Sequence, residues 1–296
     1  MMKRTNHALE VTMNLFLPEQ GKNKLIRHIT VALDCSPHSI ASLTAAAELA
    51  RLMHADLTGI FVEDINLFRI MDLPFSHEIR MYASEPEKID PLQLERSVKM
   101  QAREAEAALQ RIAEEFMVEY SFRVLRGVVP AEVMAASLGA DLLVLGRSGR
   151  SPSCRKKLGS TARKALAEGK KPLLFMRPGY SAKTGALLVL YDGSEGANLA
   201  LSTALTLAEP EGSLHLLILG ESFEESLEME RELSEKTSLT EAVVEYHHLP
   251  LKNGNTLIRY IRMAGFGLLI LSDRMKLPKE LVHELVREID YPVLLV

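Results

Sequence analysis

The chain has no tryptophan, only two cysteines and 5% aromatic residues in a length of 296. Without indoles and with few other rings, it offers little on which nucleic-acid bases could stack, and a net charge of −4 adds no general attraction to phosphate backbones. Cys35 and Cys154 are far apart and form no C-x-x-C pair, which argues against a disulfide framework and for a reducing compartment, the cytoplasm. No apolar run approaches the roughly 18–20 residues of a membrane helix, so no membrane span is expected. Two phosphate-loop signatures are also missing. No G-x-G-x-x-G follows the first apolar run, and no G-x4-G-K-(S/T) occurs. What is present is a 47% hydrophobic, 25% charged composition, that of a globular chain long enough for two domains of ordinary size.

Residues 1–24 have one short apolar knot, Leu15-Phe16-Leu17, and no continuous apolar core or small-residue cleavage site. They are expected to form an N-terminal arm rather than a secretory signal. The run from Ile26 to Leu33 then predicts a buried strand, ending at Asp34-Cys35-Ser36-Pro37, where Ser36 suits a helix N-cap and Pro37 the first helical position. A helix, a strand over Leu57 to Val62 and an irregular surface excursion from Glu63 to Lys88 follow. Asp90-Pro91 begins a long amphipathic helix with Leu94, Val98, Ala105, Leu109, Ile112 and Phe116 on one face. Alternation at Val118, Tyr120, Phe122 and Val124 predicts the third strand; Leu142–Leu145 and Pro172–Met176 predict the fourth and fifth, with short helices between. Strands alternating with helices imply a mostly parallel sheet covered on both faces.

The pattern then begins again. Setting Asp34 against Asp192 places Ser36 on Ser194, Leu43 on Leu201, Ala46 on Ala204, Leu49 on Leu207 and Ala50 on Ala208. Gly267–Leu271 likewise stands against Asp141–Leu145, and Tyr291–Val296 against Lys171–Met176. This is an internal repeat. It divides the chain into the arm (1–24), a first domain (25–178), a linker (179–185) and a second domain (186–296).

Chemistry is most legible after the fourth strand of the first copy. From Leu145 the chain passes Gly146, Gly149 and Gly159-Ser160 before entering a helix, and no Asp or Glu lies between Asp141 and Glu168. Arg147, Arg150, Arg155, Lys156, Lys157, Arg163 and Lys164 all fall there, so a positive local field is expected. Glycines bring backbone N–H groups close to a ligand, and a helix start adds unpaired donors, which together suit phosphate. The second copy has no glycine after Gly267, so its loop lacks the cradle and its site is expected to be degenerate.

The spacing G-x2-G-x9-G-(S/T), with Asp34 ending the first strand, resembles the universal stress protein family, in the arrangement with two such domains in tandem and the first of the ATP-binding type. The resemblance implies two repeats of a Rossmann-like open parallel five-stranded sheet with helices on both faces. It implies an adenine nucleotide, ATP or else ADP or AMP, with Mg as accompanying ion. Asp34 would accept from the adenine amino group, which suits a group that only accepts, and backbone around Val62 would make a second adenine contact. Leu145 and Gly146 would wall the ribose, Ser148 and Gly149 the turn, and Gly159, Ser160 and Thr161 the phosphates. Family members often carry a further hydroxyl near this point, where Ala162 stands here.

The resemblance further implies pairing of the two domains through their final strands, a homodimer, a regulated partner protein and a role in the stress response. A nucleotide-binding regulator is therefore expected in preference to the alternative, a slow ATPase or self-phosphorylating enzyme, because no base is evident near the loop. Nucleic-acid binding through the basic loop ranks third. His247-His248 points to opposite faces of a strand, and the nine histidines show no ligand spacing, so no metal site is expected. The acidic run Glu221 to Glu235 reads as a solvated helix face.

Overall fold

The computed structural model describes residues 26–71, 77–78, 87–88, 90–149, 158–180, 186–250 and 254–296. The expected arm, Cys154 and the cations Arg150, Arg155, Lys156 and Lys157 lie outside the described residues.

Strand β1 (His28–Leu33) leads into helix α1 (Pro37–Met53), whose start is the one read from sequence: Ser36 is extended and its Oγ accepts from the Ser39 N–H at 3.1 Å, with Pro37 next. Strand β2 (Asp56–Asp64) runs two residues beyond Val62. The stretch read as an irregular excursion contains helix α2 (Ile65–Met71) and two short strands, β3 (His77–Glu78) and β4 (Glu87–Lys88), which pair antiparallel. Helix α3 (Pro91–Phe116) is capped by Asp90, whose Oδ1 accepts from the Leu92 N–H at 3.0 Å, and buries Val98, Ala102, Ala105, Leu109 and Ile112. There follow β5 (Tyr120–Gly127), α4 (Val129–Ala136), β6 (Leu142–Gly146), α5 (Ser160–Glu168) and β7 (Leu173–Met176).

The second half contains β8 (Leu187–Tyr191), α6 (Glu195–Leu207), β9 (Ser213–Ile218), α7 (Phe223–Thr237), β10 (Val243–His248), α8 (Gly254–Ala264), β11 (Leu268–Leu271), α9 (Lys279–Glu288) and β12 (Val293–Leu295). The acidic run is largely α7, with Glu224, Glu228, Glu232 and Glu235 exposed and Met229 and Leu233 buried.

The architecture is α/β. Ten strands form one sheet in the order β10-β9-β8-β11-β12-β7-β6-β1-β2-β5. Each half contributes five parallel strands in the same relative order, and the halves meet where β12 pairs antiparallel with β7, Leu294 opposite Leu174. Two separate sheets are thus merged into one. The reason is visible in the seam: every residue of Leu173–Met176 and of Val293–Leu295 is buried, and strands apolar on both faces cannot remain as open edges without exposing unpaired backbone groups. No helix among the described residues is long and apolar enough to cross a membrane.

Candidate functional site

Register brings the sequence-predicted residues to one edge of the sheet. Leu33 of β1 pairs with Phe61 of β2, so Asp34 and Val62 are the next residues out on neighbouring strands. Val31 pairs with Val144 of β6, which sets Leu33 level with Gly146 two residues later. All three strands are parallel, and their carboxyl ends are where open α/β sheets receive ligands.

Asp34 is held in a tight turn. Its Oδ1 accepts from the Ser36 N–H at 2.9 Å, and its own N–H donates to Ser39 Oγ at 3.3 Å. Cys35 between them is left-handed, with φ 59°, and its Sγ donates to the Gln101 carbonyl on α3 at 3.3 Å. No donor among the described residues reaches Asp34 Oδ2, which lies beside Gly149: a Cβ on that glycine would stand 3.1 Å from it. The carboxylate is therefore next to the first turn of the glycine loop.

The loop is closed at its base by main-chain bonds. The Arg147 N–H donates to the Met176 carbonyl at 3.0 Å, and the Gly159 N–H to the Arg147 carbonyl at 2.9 Å. Gly146 passes over the first turn of α1 so closely that a Cβ would meet His38 Cβ at 3.0 Å and its main-chain carbon at 3.1 Å. Gly159 is the N-cap of α5 and offers no side chain to the first turn, so among the described residues nothing meets the N–H groups of Ser160, Thr161 and Ala162. Ser160 is exposed and Thr161 half-buried, whereas the side chains of Leu145 and Ala162 belong to the core. Leu145 can therefore offer a ligand only its backbone.

One residue here escaped the sequence reading, and another is placed differently from it. His38 Nε2 is 2.8 Å from Ser148 Oγ, placing an imidazole against the loop where no base was evident, while its Nδ1 is buried with no hydrogen-bond partner among the described residues. Burial, and after it the Arg177 charge, holds this ring below the ordinary imidazole value. A His in the first turn of a helix carries no sequence signal of its own. Arg147 was read as part of a positive field over the loop. Instead it is 7% exposed and its Nη1 donates to the Ile289 carbonyl of the second half. Burial and then Arg177 push its pKa down to about 10, against the pull of Asp290 and Glu288, which leaves it charged near neutrality. Lys164 is likewise engaged, pairing with Glu168 one helical turn on at 3.0 Å. The expected field is thus thinner at the described residues than the list of cations implied.

The corresponding place in the second half is built differently. Asp192 Oδ1 accepts from the Ser194 N–H at 3.0 Å, as in the first half, and Gly193 takes the left-handed position of Cys35 with φ 72°. But Asp192 Oδ2 accepts from the Lys276 N–H at 2.6 Å, and the loop after β11 packs onto α6, where a Cβ on Gly196 would meet the Arg274 main-chain carbon at 2.7 Å. There the loop's own backbone occupies the carboxylate. A cleft of about 350 Å³ between α1 and the second half, lined by Glu48, Leu52, Leu187 and Glu209 among others, shares no residue with either place.

Residues 25–177, just over half of the chain, match the profile of the Universal stress protein family. A universal stress protein of Methanocaldococcus jannaschii is 26% identical over 159 residues, covering 53% of this chain and 85% of that protein. Among solved structures, a universal stress protein from Archaeoglobus fulgidus superposes with a TM-score of 0.65 at 16% identity, covering 90% of this chain and 97% of the other. A functionally unknown protein from Pseudomonas aeruginosa gives 0.57 at 13% identity over 92% of each chain. At these identities the superpositions speak for the fold.

Proposed function

The chain belongs to the Universal stress protein family, and from that premise we propose that its first half binds an adenine nucleotide, ATP foremost, as a regulatory protein of the stress response. The observation that carries this reading is the difference between two equivalent aspartates. Among the described residues no donor meets Asp34 Oδ2, which lies beside Gly149, while Asp192 has the same oxygen taken by the Lys276 N–H. An adenine amino group needs an acceptor, and among the described residues the aspartate of the first half offers one where that of the second half is engaged. The uncapped start of α5 supplies donors for phosphate, with Gly159, Ser160 and Thr161 nearest. Mg would accompany the phosphates, and the cytoplasm is the compartment that a chain with two cysteines far apart in sequence favours.

Calorimetric titration of the full chain with ATP tests this. Asp34→Ala and Gly149→Val are expected to weaken binding by at least about tenfold, the loss of one good hydrogen bond or a blocked contact being worth 1–3 kcal/mol. Asp192→Ala is expected to leave it unchanged. Equal effects of Asp34→Ala and Asp192→Ala would overturn the assignment. A second reading, slow ATP hydrolysis, draws on His38, whose Nε2 lies 2.8 Å from Ser148 Oγ. Phosphate release in the presence of Mg that His38→Gln abolishes would favour it over a purely regulatory role.

A further inference from the structure

His215 on β9 and Glu245 on β10 are direct partners in the parallel ladder, and His247, two residues on, lies on the same face of the sheet. The three side chains converge. His215 Nδ1 is 3.0 Å from His247 Nε2, Glu245 Oε2 is 3.5 Å from the first nitrogen, and 3.9 Å from the second. One proton shared between the rings accounts for the shortest of these distances. It leaves the carboxylate beyond ordinary hydrogen-bonding range of both nitrogens. Three atoms able to ligate a metal therefore lie within 3.9 Å of one another.

The size of that triangle is informative. The nearest point equidistant from the three atoms, in their plane, lies about 2.0 Å from each, close to the length of Zn–N and Zn–O bonds. Two histidines and one carboxylate form the donor set of open zinc sites, with a further position left for water or another ligand. The aromatic rings of Phe266 and Tyr260, whose centroids lie 4.8 Å from that of His215 and 6.2 Å from that of His247, flank the pair on the α8 side. Glu245 leaves access from solvent, being 54% exposed. The adjacent His248 takes no part: it points to the other face, where its Nε2 meets Glu230 Oε2 at 2.6 Å.

We propose that His215 Nδ1, His247 Nε2 and Glu245 Oε2 form a binding site for a divalent first-row cation, zinc above all, that ties edge strand β10 to β9 in the second half. The site is independent of the nucleotide reading. Nitrogen-rich donors favour zinc, copper or nickel over magnesium or calcium. Because a cation held here joins two strands, its binding also raises the folding stability of the protein.

The full chain, stripped with chelator and dialysed, is titrated with Zn²⁺ at pH 7.5, and with Co²⁺ followed by visible absorption. One strong site per chain is expected, with a tetrahedral Co²⁺ spectrum and a raised melting temperature. Glu245→Gln and His247→Gln, both at partly exposed positions and so tolerable to the fold, are expected to weaken Zn²⁺ binding by at least about tenfold. His54→Gln, outside the cluster, is not. Absence of a strong site, or a site that survives both Glu245→Gln and His247→Gln, would overturn the proposal.

Discussion

Single residues here are constrained mostly by what stands against them. Gly196 lies under the Arg274 backbone, so Gly196→Ala forces a Cβ to within 2.7 Å of a main-chain carbon that cannot rotate away. We expect a loss of about 1–3 kcal/mol in urea denaturation, the usual range for overpacking. Gly139 has nothing within 4 Å of its would-be Cβ, and Gly139→Ala is expected to be neutral or slightly stabilising. Protonation makes the same point. His38 and His215 are both held below the ordinary value, chiefly by burial. The unfolded chain therefore takes up their protons first, so the stability they contribute is whole above the ordinary imidazole pKa and is lost as pH falls through the lowered folded values. Asp290, whose carboxyl the Arg177 hydrogen bond holds low, adds a similar loss further into acid. Urea midpoints should decline from pH 7 toward pH 5, with a shallower decline in His38→Gln. A flat profile would contradict this account.

Elements were legible in the sequence wherever their ends carry chemistry. Ser36-Pro37 and Asp90-Pro91 announced α1 and α3, and both caps are formed. Ser36→Ala should accordingly cost about 1 kcal/mol, read by thermal or chemical denaturation. The end of β2 was not legible, because nothing in Val62-Glu63-Asp64 marks a stop; pairing with β5 as far as Gly127 carries the strand on. The glycine pattern gave the loop its place, yet not the direction of Arg147, since a partner as distant as Ile289 leaves no trace in local pattern. The histidines show the same limit more sharply. His247 was weighed against its neighbour His248, whereas its structural neighbour is His215, set by the register of β9 and β10. Register between strands is a tertiary property, and clusters that depend on it stay hidden in a sequence.

At the scale of the whole molecule, the repeat yields two halves of like order that share one sheet. Arg147 and Arg177 reinforce the seam, Arg177 bonding both the carbonyl and the carboxylate of Asp290. A fragment ending at residue 180 would uncover the apolar strand Leu173–Met176, and is expected to self-associate in analytical ultracentrifugation. A soluble, monomeric fragment would mean that β7 needs no partner. The two halves keep the turn after their first strand and differ in what meets the aspartate there. That asymmetry is the basis for assigning one nucleotide site to a molecule with two similar halves. Its most direct test is the stoichiometry of ATP on the full chain, freed of any nucleotide carried through purification. The account predicts about one ATP per chain, with adenine nucleotide identified in the material released on denaturation. Two equivalent sites, or none, would contradict it.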